Sequence, residues 1–172
     1  VKILKDSVTT KLDLEMAATE EIIKIACDVG PELVTLVPEK RQELTTEGGI
    51  NVIDNISLIK DTIQELHKYD IEVSLFIEPD IRQIDAAAEI ESNIIEIHTG
   101  VFANALSEEE QFDELDRIRT AAKHAKKLGL GVNAGHGLDY QNIKIFRELT
   151  DVDEVSIGHS IIARAVFVGI NQ

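Results

Sequence analysis

Residues 94–100 read IIEIHTG, and the reading of this stretch decides the fold. Ile94, Ile95 and Ile97 make a short β-branched run of the kind that favours a strand, whereas Glu96, His98 and Thr99 are polar residues that the strand itself does not require. Side chains two apart on a strand share a face, so Glu96 and His98 point one way and Ile95 and Ile97 the other. An acid and an imidazole on one interior face are costly unless they are used. The bland alternative is a buried ion pair or a layer-filling hydrogen bond.

Working outward, the same kind of run recurs at Leu12–Met16, Leu33–Val37, Glu72–Ile77, Gly131–Ala134 and Glu154–Ile157. Segments of helical period separate these strands, near 19–29, 52–69, 80–91, 107–127, 139–149 and 160–168. A βαβα rhythm is the sequence sign of a parallel sheet with crossover helices. Some boundaries carry their own chemistry. Ser107 and Glu110 have the spacing of a capping box, Asp80 and Gln83 resemble one, and Gly129 follows a Lys-rich helix end. The polar stretch 39–51, EKRQELTTEGGIN, is too long for a minimal connection and reads as a working βα loop.

Composition agrees with this class. The 172 residues are 44% hydrophobic but only 4% aromatic, which suits an aliphatic buried sheet covered by helices. The length indicates one domain, yet an ordinary (β/α)8 barrel needs roughly 200–250 residues. The formal net charge of -15 opposes binding to nucleic acid or to anionic membranes. It does not exclude a small phosphorylated substrate, because helix N-termini and local cations bind phosphate within a negative protein. One cysteine, Cys27, rules out an intramolecular disulfide and reads as a buried thiol in a reducing, cytoplasmic setting. No stretch approaches the roughly 20 apolar residues of a membrane span, and no signal peptide is visible at the start.

Polar residues collect where the strands end, which in a parallel barrel is the active-site mouth. They are Glu15, then Glu39, Lys40 and Arg41, then Glu96, His98 and Thr99, then Asn133 and His136, then His159. His67 and His124 fall inside helices and read as solvated or structural. His136 is bracketed by Gly135 and Gly137, which suits a mobile general acid or base, although a tight turn would use the same residues. Gly158-His159-Ser160 opens the last helix with backbone N–H groups placed for an anion, or is an ordinary cap. Thr45-Thr46-Glu47-Gly48-Gly49 offers hydroxyl and amide donors to a phosphate or ketose. No metal-ligand spacing is present. Lys40 would form a Schiff base in a barrel aldolase, but its neighbours Glu39 and Arg41 favour ion pairing.

The segments LEMAATEE, TLVPEKRQELTTEGG, EVSLFIEP, IEIHTG, GVNAGHGL and SIGHSIIARAV, in this order and spacing, resemble the pyridoxine 5'-phosphate synthase family across essentially all 172 residues. The resemblance implies an α/β fold, a (β/α)8 TIM barrel of which about six βα units are present, assembled as a homo-octamer. It implies condensation of 1-deoxy-D-xylulose 5-phosphate with 3-amino-2-oxopropyl phosphate, releasing inorganic phosphate and water, with no metal or organic cofactor. By motif position, Glu15 is similar to a catalytic proton acceptor, His136 to a proton donor and Glu96 to a transition-state stabiliser. Thr45 resembles the deoxyxylulose phosphate ligand, and Gly137, Gly158 and His159 resemble the residues that hold the amino ketone phosphate. His98 has no assigned step and is expected to orient Glu96.

The beginning departs from the family. Its NxDHxATLR-like and HxREDRRH-like motifs, with a third catalytic histidine and phosphate-binding arginines, do not occur in the sequence. Six βα units cannot close an eight-stranded barrel. The expectation is therefore a single barrel domain that is N-terminally incomplete and, by itself, inactive or poorly folded; the start at Val1 rather than Met favours further residues in the molecule. A competing class is an inactive phosphate-binding or oligomer-forming remnant, and a weaker one is another phosphate-binding barrel, an aldolase or isomerase.

Overall fold

The computed structural model describes residues 1–39 and 48–170. Six parallel strands form one sheet in sequence order: β1 (Asp13–Met16), β2 (Leu33–Leu36), β3 (Glu72–Ile77), β4 (Ile94–His98), β5 (Gly131–Gly135) and β6 (Glu154–Ser156). A short helix α1 (Lys2–Ser7) precedes β1, and the crossovers are α2 (Glu20–Val29), α3 (Ile56–His67), α4 (Ile81–Glu89), α5 (Gly100–Ala103) with α6 (Glu108–Lys127), and a 3-10 helix (Asn142–Glu148). Helix α7 (His159–Val168) follows β6. The sheet curls into a partial (β/α)8 barrel, and Lys11, next to β1, reaches Glu154 on β6 at 3.0 Å. Among the described residues β1 and β6 each pair with a single neighbour, and α7 leaves Val166 and Phe167 78% and 88% exposed.

Alternation along each strand separates two environments. Val34, Leu36, Val73, Leu75, Ile77, Ile95, Ile97, Val132 and Ala134 are buried in the apolar core. Full burial of each large aliphatic side chain contributes about 1.5–3 kcal/mol, so this layer holds the helices on the sheet. The other face is polar. Glu15 lies opposite Thr35, Thr35 opposite Ser74, Phe76 opposite Glu96, Glu96 opposite Asn133, and Gly135 opposite both His98 and Ser156.

Strand positions agree with the sequence reading to within a residue at their ends, but several helices differ. The segment 139–149 is a 3-10 helix starting at Asn142, because Asp139 Oδ1 accepts from the N–H groups of Gln141 and Asn142 and turns the chain locally. The expected helix from residue 52 starts at Ile56, because Asn51 Oδ1 takes the N–H of Asp54 and Gln83 Oε1 takes that of Val52. Helices α1 and α5 were not foreseen. Ser107 accepts the Glu110 N–H at 3.2 Å, but Glu110 answers one residue early, on the N–H of Leu106. At Asp80 the side chain accepts from Arg82 N, while Gln83 completes no box and holds the chain before α3 instead. After α6, Gly129 sits at φ +85°, and the N–H groups of Gly129 and Leu130 donate to the carbonyls of Lys126 and Ala125, a Schellman ending.

Candidate active site

Glu96 occupies the polar face of β4 and is 3% exposed. Ser156 Oγ on β6 donates to its Oε2 at 2.9 Å. A Cβ added at Gly135 would lie 2.3 Å from Glu96 Oε1, so the absence of a side chain there makes the space for this carboxylate. Burial pushes the Glu96 carboxyl up to about 7; the Ser156 hydrogen bond opposes this, and the negative charges of Glu15 and Asp13 add to it. Glu15, itself exposed on β1, shares the polar face of the sheet with Glu96, and its charge acts on that carboxyl. Beneath it Thr35 Oγ1 bonds both carboxylate oxygens of Asp13, at 3.0 and 2.9 Å. Burial is the main cause holding Asp13 above the usual carboxylate range. The arrangement sets a carboxyl titrating near neutrality beside other carboxylates, a suitable device for moving protons.

His136 follows β5 and adopts φ +82°, a left-handed conformation that a non-glycine residue holds only under constraint from its surroundings. Gly137 continues at φ +78° with its Cα side against Ala103 of α5. The His136 ring meets His98 at 5.0 Å between centroids in an edge arrangement. Ser160 Oγ, in the first turn of α7, donates to Leu138 O at 3.2 Å and ties that helix start to the loop carrying His136. Gly158 and His159 are exposed at the same helix start, Gly158 as its N-cap.

The sequence reading therefore gathers Glu15, Glu96, His136, Gly137, Gly158 and His159 at the strand ends and the polar face. Thr45 and Lys40 lie outside the described residues, as does most of the 39–51 loop. His98 does not orient Glu96: its Nδ1 bonds Glu78 Oε1 at 2.7 Å, and Ser156 holds Glu96 instead. Phe76 separates the two outcomes, since it lies opposite Glu96 in register and packs edge-on against His98 at 5.2 Å. His67 and His124 are structural, bonding Asn93 Oδ1 at 2.8 Å and Asp85 Oδ1 at 2.6 Å. Sequence reasoning missed Glu78 and Ser156. Both were within reach of the alternation rule, because Ser156 shares a face with Glu154, and Glu78 follows Phe76 by two at the end of β3.

Comparison with known proteins supplies the context for this geometry. The family described as Pyridoxal phosphate biosynthesis protein PdxJ matches residues 1–172. A protein of Syntrophobacter fumaroxidans called pyridoxine 5'-phosphate synthase is 52% identical over all of this chain and 72% of its own length. One of Chlorobium luteolum with the same name is 56% identical over 100% of this chain and 73% of its own. Among solved structures, the Amycolatopsis orientalis BexX/CysO complex shares the fold, with a TM-score of 0.60 at 13% identity over 98% of this chain and 72% of that one.

Proposed function

Because the chain belongs to the family of the pyridoxal phosphate biosynthesis protein PdxJ, we propose that the polar face of its curled sheet carries the acid/base chemistry of pyridoxine 5'-phosphate synthesis. The reactants are 1-deoxy-D-xylulose 5-phosphate and 3-amino-2-oxopropyl phosphate. Joining two ketones into an aromatic ring with loss of phosphate and water requires repeated proton transfers at carbon and oxygen. One observation carries the reading: Glu96 is buried, held by Ser156, and pushed up to about 7 by that burial and by the nearby charge of Glu15. Such a group exchanges protons at physiological pH where an ordinary carboxylate stays ionised.

In this reading Glu15, exposed to an incoming ketone, accepts protons. Glu96, which holds or releases a proton near neutrality, uses that proton to stabilise charge that develops as the ring closes, and His136 donates a proton to the departing oxygen. The start of α7, with Gly158 and His159, presents backbone N–H groups to the amino ketone's phosphate, where the helix dipole favours an anion. Gly137, packed against Ala103 on its side-chain side, offers its backbone to the same phosphate, and Thr45 binds the deoxyxylulose phosphate. Assembly as a homo-octamer in the cytoplasm belongs to the same reading. The exposed apolar Val166 and Phe167 on α7 support burial against further protein, and among the described residues no helix is long and apolar enough to cross a membrane.

The test replaces Glu15, Glu96 and His136 singly, by Gln in each case, in the protein extended to the full length of its relatives, and follows product formation from the two ketone phosphates. Each change is expected to reduce kcat by about 10²–10⁴, the range of a single positioned acid or base. Undiminished turnover in any of the three removes that residue from the reaction.

A further inference from the structure

The tripeptide His98-Thr99-Gly100, which ends β4 and opens α5, has no role in the chemistry above, yet each of its residues touches the turn that carries His136. Thr99 is fully buried, and its N–H donates to Gly135 O at 2.8 Å. Its Oγ1 is shared between Gly135 O at 2.8 Å and His136 O at 2.7 Å. A threonine ahead of a helix ordinarily turns its hydroxyl onto that helix's own N–H groups. Here it makes no such cap on α5, because the hydroxyl is used on the neighbouring strand end.

His98 is 6% exposed and presents its ring edge to His136 at 5.0 Å. Its Nδ1 lies 2.7 Å from Glu78 Oε1, which also accepts the N–H of Gly49 at 3.0 Å. Burial pushes the Glu78 carboxyl up, but the bonds from His98 and Gly49 outweigh it and hold Glu78 below the usual carboxylate range. An ionised carboxylate only accepts, so Nδ1 of His98 must carry the proton and the tautomer is set. Gly100 completes the fit. A Cβ there would lie 2.5 Å from His98 Nε2 and 3.1 Å from His136 Cδ2, so a side chain at this position would push into both rings.

We infer that Glu78, His98, Thr99 and Gly100 form a cradle of positioning residues that fixes the backbone and ring of His136 in its left-handed conformation. The inference rests on the reading of His136 as a proton donor. Thr99 restrains the two carbonyls around the strained φ, and the Glu78-locked imidazole of His98 limits where the His136 ring can go. A reacting group displaced by about 1 Å can lose about 10² in rate while binding survives, so the cradle acts on kcat rather than on KM.

Kinetics of the protein extended to the full length of its relatives separate this from a merely structural role. Thr99→Val keeps the shape but removes the hydroxyl, and is expected to lower kcat by about 10–100-fold with KM for each ketone phosphate within about twofold. Thr99→Ser restores the donor and is expected to recover kcat to within about threefold. Glu78→Ala is expected to lower kcat in the same direction. In 15N-histidine spectra it should move His98 from the Nδ1–H tautomer toward a mixture. An unchanged kcat in Thr99→Val, a loss that Thr99→Ser does not repair, or His98 resonances unmoved in Glu78→Ala would each overturn the cradle. His136→Gln separates the two ideas. If it loses turnover while Thr99→Val does not, only the cradle is wrong, and if it keeps turnover, the role of His136 falls and the cradle with it.

Discussion

Replacing Glu96 by Gln should make the protein more stable while it destroys the proposed chemistry, and the gain should depend on pH. In the folded state the Glu96 carboxyl is pushed from 4.5 to about 7, chiefly by burial. A raised carboxyl favours the protonated form in the native state. Its stabilising effect is fully present below the unfolded value near 4.5 and is lost as pH rises through 7. At about 1.4 kcal/mol per pH unit, ionising Glu96 inside the fold costs about 3 kcal/mol once both states are deprotonated. Gln imitates the protonated acid in shape and still accepts the Ser156 hydroxyl. Relative to the natural chain, Glu96→Gln should therefore be about 1 kcal/mol more stable at pH 5 and about 3 kcal/mol more stable at pH 8. In thermal unfolding followed by circular dichroism, a protein of this size should show a Tm gain of only a few degrees at pH 5 and about 6–12 °C at pH 8. A gain that is the same at both pH values, or a loss at pH 8, would refute the assignment of a buried, raised carboxyl.

Other perturbations test separate links. Ser156→Ala removes the bond that favours ionised Glu96, so the Glu96 limb of the pH–kcat profile should move up by roughly half to one unit; a downward shift contradicts the contact. Gly135→Ala would place a Cβ 2.3 Å from Glu96 Oε1 and should destabilise by about 1–3 kcal/mol in denaturant titrations as the carboxylate is displaced, with loss of turnover. Gly129→Ala has open space around it but sits at φ +85°, so it should cost about 1 kcal/mol through backbone strain alone, with kcat unaffected.

Strand boundaries were legible because a parallel sheet writes itself as short aliphatic runs, and the alternation in IIEIHTG correctly placed Glu96 and His98 on the polar face. The placement of Glu15, Glu96 and His136 on the polar face and at the strand ends was legible because aliphatic runs do not themselves require polar residues there, whereas the roles proposed for them came from the family resemblance. Pairings were not legible. His98 lies two residues from Glu96 on the same face, yet it turns to Glu78 just past the end of the neighbouring strand β3, and strand register, which sequence does not state, decides between them. The use of Thr99 was hidden for a similar reason, since its partners are the carbonyls of Gly135 and His136, 36 and 37 residues away. Gly135 suggested freedom for a turn, but its more specific service is the room it leaves for the Glu96 carboxylate. Helix starts at Ile56 and Asn142 slipped because Asn51, Gln83 and Asp139 redirect backbone N–H groups that periodicity alone assigns to helices.

The most direct test of the central claim is product formation from 1-deoxy-D-xylulose 5-phosphate and 3-amino-2-oxopropyl phosphate by the closed barrel, these 172 residues extended to the full length of their relatives, measured beside the His136→Gln variant of the same protein. The closed barrel is expected to give pyridoxine 5'-phosphate and inorganic phosphate in equal amounts, and the variant at most about a hundredth of that rate. No product from the closed barrel with both ketones saturating, or undiminished product from His136→Gln, would contradict it.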